Sequence, residues 1–100
     1  MLISRWQAPL VPDRDQIWKM FEAEGMEPFE DRIEPQSEIK DIRNPFDEVR
    51  TVVRGELLLD VAGNKLLLRE GDRIYIPSNT KHSKKNQSNE TCICVCAHKV

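Results

Sequence analysis

The sequence predicts an all-β domain, a small antiparallel β-barrel, preceded by one N-terminal α-helix. After Gly25 the chain reads as short apolar runs separated by turn residues, at the spacing of about eight to twelve residues that is typical of β-sandwiches and barrels. Helical spacing occurs only before that glycine, so the alternation of strands and helices found in parallel α/β folds is missing. The 100 residues fit a single domain, residues 1–100, with the helix over about 13–24 and the barrel over about 28–99.

The helix is indicated by its ends and by its apolar spacing. Asp13 follows a proline and places negative charge at the helix N-terminus, where it complements the helix dipole. Ile17 and Phe21 lie one turn apart, and Gly25 is a natural C-terminal stop. We expect the apolar face to cover part of the sheet; the alternative is that it caps a ligand cavity or a dimer partner.

Seven strands follow from alternation and from turn residues. A segment rich in β-branched residues, which favour strands, ends at Gly55. Further along the chain, Ala62-Gly63-Asn64 predicts a hairpin turn between two apolar runs. The predicted strands are Phe29 to Ile33, Glu38 to Ile42, Val49 to Arg54, Leu57 to Val61, Lys65 to Leu68, Arg73 to Ile76 and Thr91 to Ala97.

Composition and charge exclude several functional classes. The net charge of −2 gives no electrostatic footprint for nucleic acid or an anionic membrane. The nearest basic cluster, Lys81, Lys84 and Lys85, is interpreted as a solvated turn. No segment approaches the roughly 20 apolar residues of a membrane span, and the first residues lack the apolar run of a signal peptide. We therefore expect a cytoplasmic protein with no nucleic-acid or membrane partner.

The segment from Gly71 to Asn86 resembles the second conserved motif of the cupin superfamily. That motif is a glycine, five residues, a proline, one residue, a glycine, two residues, a histidine, three residues and an asparagine. Gly71, Pro77, His82 and Asn86 all fall in register. Asn79 occupies the position of the middle glycine, and asparagine is the next most tolerant residue of positive φ.

The first cupin motif is also matched at its end. It closes with a glutamate, six residues and a glycine, as Glu48 and Gly55 do here. The resemblance covers residues 41–86 closely and the rest of the chain loosely. It implies a double-stranded β-helix, that is, a cupin-like antiparallel barrel in which Glu48 and His82 converge inside.

The metal-binding part of the first motif is depleted. Metal-binding cupins have two histidines one residue apart before the glutamate, but the corresponding pair here is Ile42 and Asn44, or Asp41 and Arg43. The resemblance therefore leaves Glu48 and His82 as metal ligands, with Asn44 as a third candidate. Catalytic metal sites normally have at least three protein ligands. We expect no resident cofactor, with a bound divalent transition metal as the alternative.

Arg50 and Tyr75 complete the predicted ligand pocket with Glu48 and His82. If Glu48 points inward, alternation places Arg50 on the same inner face, where a buried arginine must be paired. One interpretation is an ion pair with Glu48 that fills the space of a metal; the other is a fork for a carboxylate or phosphate. The sequence does not decide which face of its strand Tyr75 occupies, and we place it in the barrel wall or at the rim.

The three cysteines alternate along the last strand, so Cys92, Cys94 and Cys96 share one face. Periodicity does not say which face is inside, because the other face is apolar too. If the sulfur atoms face the interior, one could join His82 in a soft metal site; otherwise they act as small hydrophobic side chains. His98 matches no motif position.

Three functions remain open from the sequence. The favoured hypothesis is a small protein that binds a small polar or anionic molecule in its barrel. The alternatives are a metal-dependent cupin enzyme, a dioxygenase or isomerase, and a structural or regulatory dimerisation module. In the last case the strand at Phe29 to Ile33 and the helix would cover an exposed sheet edge in a homodimer.

Overall fold

Nine β-strands and one α-helix make up residues 2–99, the part of the chain that this computed structural model describes. In chain order they are β1 (Leu2–Ser4), α1 (Arg14–Ala23), β2 (Phe29–Ile33), β3 (Glu38–Ile42), β4 (Asp47–Arg54), β5 (Leu57–Val61), β6 (Asn64–Leu68), β7 (Arg73–Ile76), β8 (His82–Lys85) and β9 (Cys92–Lys99). The seven predicted strands are confirmed, with end shifts of a few residues at most. Strands β1 and β8 were not predicted, because both are short and β8 is polar throughout.

The strands form two antiparallel sheets that face each other. The five-stranded sheet has the order β1-β7-β4-β9-β2, and the four-stranded sheet has the order β3-β8-β5-β6. The predicted all-β fold with one helix is confirmed. Within the described residues no strand pairs across the two sheets, so the barrel takes the form of a jelly-roll sandwich. Its two sheets end in β2 and β3 at one side.

The hydrophobic core between the sheets is built from the inward side chains of both. It contains Val52, Leu57, Leu59, Leu68, Ile74, Ile76 and the three cysteines, all buried. Residues that lie directly opposite each other in an antiparallel pair share a face, so this cluster identifies the inner face of every strand that it includes.

Helix α1 packs on the outer face of the five-stranded sheet. Asp13 caps it: its carboxylate accepts from the backbone N–H of Gln16 at 2.9 Å, and the Gln16 side chain accepts from the backbone N–H of Asp13 at 2.9 Å. Ile17 and Phe21 are buried against the outward side chains of β4 and β9. The expectation that the helix covers a sheet face is therefore confirmed. Among the described residues, no helix is both long and apolar enough to cross a membrane.

Two turns lie where the sequence predicted them, with positive φ at Gly63 and Asn79 as expected and at Ala62, where it was not predicted. Ala62 and Gly63 have φ of 50° and 88° between β5 and β6, the positive values of a tight hairpin turn. Asn79 has φ of 58°, as expected for a residue at a glycine position of the second motif. Its backbone N–H donates to the carbonyl oxygen of Asn44 at 2.7 Å, which ties the start of β8 to the loop before β4.

Candidate functional site

Glu48 and Arg50 lie side by side on the inner face of β4. They are opposite Ile76 and Ile74 of β7, which are core residues. Nε of Arg50 donates to Oε2 of Glu48 at 3.2 Å, and the Arg50 side chain is only 3% exposed. The alternation argument thus placed Arg50 correctly, and the predicted ion pair with Glu48 is present.

Asp31 and Lys84 extend this pair into a network that sequence reasoning missed. Nη1 of Arg50 donates to Oδ2 of Asp31 at 2.8 Å, and Nζ of Lys84 donates to the same oxygen at 2.7 Å. We call Asp31, Glu48, Arg50 and Lys84 the inner charge cluster. Since Asp31 belongs to β2 and Lys84 to β8, the cluster bridges the two sheets.

The interpretation of Lys84 as part of a solvated turn is wrong. Its side chain is 13% exposed and ion-paired, and it lies opposite Leu59, a core residue. The same alternation that placed Arg50 inside would have placed Lys84 inside, two residues after His82. Lys81 is exposed, as expected, and Lys85 is partly exposed opposite Leu58, on the other face of the sheet.

The electrostatics of the inner charge cluster shift the pKa values of Asp31 and Arg50 toward their ionised forms. Burial alone would raise the pKa of Asp31, but the hydrogen bond from Lys84 and the charge of Arg50 hold that pKa below its ordinary value. Burial alone would lower the pKa of Arg50, yet the Cys96 and Cys94 thiols, followed by the carboxylates of Glu48 and Asp31, raise that pKa well above its ordinary value. Two cations and two carboxylates therefore compensate each other inside a low-dielectric space.

His82 also faces the interior, from the opposite sheet. It lies opposite Val61 and Ile42 and is 4% exposed. Nδ1 is 2.9 Å from the carbonyl oxygen of Thr80. Because a carbonyl only accepts, Nδ1 carries a proton in this contact. Within residues 2–99 no hydrogen bond joins His82 to Glu48.

Tyr75 does not line the interior. It lies opposite Val49 and packs with the cluster beneath helix α1, which is the outer face of the sheet. Its hydroxyl donates to Asp47, and this hydrogen bond raises the pKa of Tyr75. The prediction that Tyr75 belongs to the ligand pocket is corrected: strand alternation gives it the face opposite to Arg50.

The donor set does not fit a transition metal. The carboxylate of Glu48 is engaged by Arg50, and Asn44 lies in the loop before β4. Across residues 2–99, no group of three histidine, cysteine or acidic side chains is arranged to hold a metal ion. Glu48 and His82 by themselves fall short of the three protein ligands that catalytic sites use.

The three cysteines face inward and belong to the core. Cys94 lies opposite Val52 and Asp31, and Cys96 lies opposite Arg50. All three are free thiols, and the Sγ atoms of Cys92 and Cys94 are 3.9 Å apart. The contact between these two thiols raises the pKa of Cys92 and lowers that of Cys94. No third ligand joins them in the described part of the chain, so they are best described as small core side chains.

An aromatic cluster lies beside the inner charge cluster at one end of the sandwich. His98 is opposite Glu48 on β9, its ring is stacked on Phe46 at 3.7 Å, and it meets the edge of Phe29 at 4.8 Å between ring centroids. Sequence reasoning gave His98 and these phenylalanines no role. Only the position of Phe29 could have been predicted from the sequence, because Phe29 lies two residues before Asp31 on β2 and therefore on the same face of the strand.

The largest of three described cavities lies elsewhere. It has a volume of about 530 Å³, lies on the outward side of the four-stranded sheet and reaches His82. Its lining includes Glu38, Leu58, Asp60 and Lys85. The lining includes no member of the inner charge cluster.

Comparison with known proteins gives a family and a fold. A profile of the cupin domain family matches residues 29–98, and no curated protein sequence is similar enough to count as a relative. The plu4264 protein from Photorhabdus luminescens is 16% identical with a TM-score of 0.68, and the alignment covers 73% of this chain and 61% of that one. TT1209 from Thermus thermophilus is 20% identical with a TM-score of 0.63, over 69% of this chain and 67% of that one.

Oxalate oxidase, solved in complex with the substrate analogue glycolate, is a third similar structure. It is 20% identical with a TM-score of 0.65, over 74% of this chain and 41% of that one. Identities this low establish a shared fold only. By these coverages, this chain spans less than two thirds of the Photorhabdus protein and less than half of oxalate oxidase.

Proposed function

Because this chain belongs to the cupin family, and because Arg50 and Lys84 in its interior both donate to Asp31, we propose that it binds a small carboxylate-bearing molecule at the inner charge cluster. The ligand is held by Arg50 and Lys84, on the side where the sandwich ends in β2 and β3. Binding requires no metal, and the proposal includes no catalytic step.

The observation that carries the proposal is the spare donor capacity of Lys84 beside a buried, charged arginine. Nε and Nη1 of Arg50 are engaged by Glu48 and Asp31, and its guanidinium also interacts with the Cys94 thiol. Nζ of Lys84 has three N–H donors and makes one hydrogen bond among the described residues, to Asp31. A carboxylate is the acceptor that such a pair of donors suits best.

Asp31 marks the place where a ligand would enter. Its side chain is 26% exposed, whereas those of Glu48 and Arg50 are 9% and 3% exposed. Asp31 is therefore the outermost anion of the cluster, and a ligand carboxylate beside it would extend the network without exposing Arg50. The glycolate held by oxalate oxidase is a small carboxylate in a protein of the same fold, which makes this ligand class a reasonable one to test.

Isothermal titration calorimetry with acetate and glycolate tests the proposal, with Lys84→Gln as the key variant. We expect Lys84→Gln to weaken binding about tenfold or more, because a hydrogen bond to a charged group contributes roughly 1.5–3 kcal/mol. Lys85→Gln is the matched control, since Lys85 is the next residue in the chain and lies on the other face of the sheet.

Two results would overturn the proposal. One is that neither acid binds the native protein at low ionic strength, where electrostatic attraction is strongest. The other is that both lysine variants bind as well as the native protein, which would place the ligand away from the inner charge cluster. Arg50→Lys, which keeps the charge but removes the planar fork, should retain the fold while losing affinity.

Homodimerisation is a second candidate, favoured by an exposed apolar surface near the N-terminus. Trp6, Leu10, Val11 and Met20 are all exposed, and Trp6 and Met20 line one shared cavity of about 210 Å³. A second copy of the chain would cover this surface. Sedimentation velocity should then show a dimer that Leu10→Asp converts to a monomer; a native monomer at micromolar concentration would contradict this.

A further inference from the structure

A small cavity lies on the outer face of the five-stranded sheet, away from the inner charge cluster. Its volume is about 210 Å³, and its lining includes Ser4, Trp6, Ile17, Phe21, Thr51 and Arg73. Ser4, Arg73 and Thr51 lie opposite one another across β1, β7 and β4. Thr51 also lies opposite Val95, which packs beneath helix α1. The cavity is therefore bounded by the outer face of the sheet, by the helix and by the segment that follows β1.

The wall that contains Trp6 is held in place by the protein itself. The backbone N–H of Trp6 donates to Oδ1 of Asp72 at 2.9 Å, and its indole Nε1 donates to the carbonyl oxygen of Leu10 at 2.9 Å. A Cβ at Gly71 would lie 2.6 Å from the Trp6 side chain, so Trp6 packs directly on the backbone at this glycine. The cavity is therefore pre-formed, as sites for small molecules usually are.

One buried polar atom of the lining has no partner. Nε of Arg73 is buried and has no hydrogen-bond acceptor among residues 2–99. Nη1 and Nη2 of the same guanidinium donate to the two carboxylate oxygens of Glu24 at 3.0 Å and 2.8 Å, so the Nε–H lies on a different edge of the planar group. The guanidinium carbon is 4.6 Å from the ring centroid of Phe21, which also lines the cavity. Buried N–H groups nearly always have an acceptor, and a molecule in the cavity would supply the missing one.

We infer that this cavity binds a neutral molecule with one ring and one oxygen acceptor, such as a phenol, and that Nε of Arg73 donates to that oxygen. The site lies on the other side of the five-stranded sheet from the proposed carboxylate site. Neither proposal depends on the other.

Charge and size both select this class of ligand. The two arginines of the lining are each paired with a carboxylate at 2.8 Å, Arg73 with Glu24 and Arg5 with Asp72. The cavity therefore offers no uncompensated positive charge to an anion. An apolar cavity of about 150 Å³ holds one benzene molecule, so a cavity of about 210 Å³ has room for one ring with a small substituent.

The test compares phenol with toluene by titration calorimetry on the native protein at neutral pH. The two molecules have nearly the same shape, and phenol is uncharged because the pKa of a phenol is about 10. Phenol should bind about threefold or more tightly than toluene, because only phenol gives the Arg73 Nε–H an acceptor. Burial of apolar surface alone predicts the reverse order, because toluene is the more hydrophobic of the two.

A variant and a spectroscopic signature then locate the preference. Arg73→Met removes the donor and should reverse the order of phenol and toluene; it should fold, because the Glu24 side chain that it leaves unpaired is 45% exposed. Arg54→Met is the matched control, since Arg54 is exposed and lies outside the lining of the cavity. In the native protein, phenol should move the proton resonance of the Arg73 Nε–H downfield, and toluene should not. Benzoate should leave this resonance in place, even where it binds to the inner charge cluster.

Three results would overturn the inference. Toluene that binds the native protein as tightly as phenol would mean that a water molecule already satisfies the Arg73 Nε–H. A preference for phenol that survives in Arg73→Met would place the ligand oxygen beside another residue. The absence of binding by both probes at millimolar concentration would show that the cavity is closed to ligands. If Arg73→Met does not fold, the resonance of the native protein decides, and a phenol titration that leaves it unmoved contradicts the site.

Discussion

Asn86 offers a sharp test of how the two sheets are joined, because its side chain uses every hydrogen bond it can make. Its amide nitrogen donates to the carbonyl oxygens of Ile33 at 2.9 Å and Glu90 at 2.7 Å. Its amide oxygen accepts from the backbone N–H of Ser88 at 3.0 Å and from the Ser88 hydroxyl at 2.8 Å. The side chain is fully buried, and it connects the end of β8 with the end of β2 and the segment before β9.

The change Asn86→Ala removes all four hydrogen bonds. The Ile33 carbonyl oxygen lies in a buried contact, and an acceptor left buried without a partner costs about 1–3 kcal/mol. The other three bonds are partly accessible to water, so each contributes about 0.5 kcal/mol at the low end of the usual range. We therefore expect the free energy of unfolding to fall by about 3 kcal/mol, a large part of the stability of a domain this size.

Urea unfolding followed by circular dichroism measures this loss, and the midpoint should fall while the slope stays the same. Thermal unfolding should show a decrease of more than about 10 °C. Gln87→Ala is the control, because Gln87 is exposed and contributes only its backbone carbonyl, which the change keeps. A loss below about 1 kcal/mol for Asn86→Ala would refute the reasoning, since water would then replace the amide without cost.

Three more predictions concern backbone strain, buried charge and pH. Gly71→Ala puts a Cβ 2.6 Å from a side-chain atom of Trp6 at φ of 90°, whereas the Cβ of Gly63→Ala contacts nothing at φ of 88°. Thermal unfolding should therefore show a larger loss of stability for Gly71→Ala. Gly63→Ala should lower the free energy of unfolding by only about 1–2 kcal/mol. Arg50→Met should lower the free energy of unfolding in urea by about 3–5 kcal/mol, because it leaves the Glu48 carboxylate buried and unpaired. The double variant Arg50→Met, Glu48→Gln should recover part of that loss. If it recovers none, the ion pair between Arg50 and Glu48 is contradicted. The pKa of Asp31 is lowered in the folded state, so its contribution to stability is present above the ordinary pKa of about 3.9 and is lost as pH falls through the folded value; Asp31→Asn should flatten the stability profile below about pH 5, and an unchanged profile would count against it.

Residue pattern alone determined most of the strands, the helix and one ion pair. Residues two positions apart on a strand lie on the same face, independently of the rest of the fold. The contact between Arg50 and Glu48 could therefore be predicted from their spacing. The same local logic predicted positive φ at Asn79, where a motif glycine is replaced. Each of these conclusions depends on residues that are close in sequence, and the two cupin motifs supplied the inward direction of the glutamate.

The tertiary structure decided which residues meet across the sheets. Asp31 and Lys84 are far apart in the chain, and their ion pair depends on how β2 and β8 are placed in different sheets. The inward direction of the cysteines and the outward direction of Tyr75 were undecided because both faces of their strands are apolar, one packed by the core and one by helix α1. Alternation gives the two faces of a strand, but only packing against distant elements says which of them is inside.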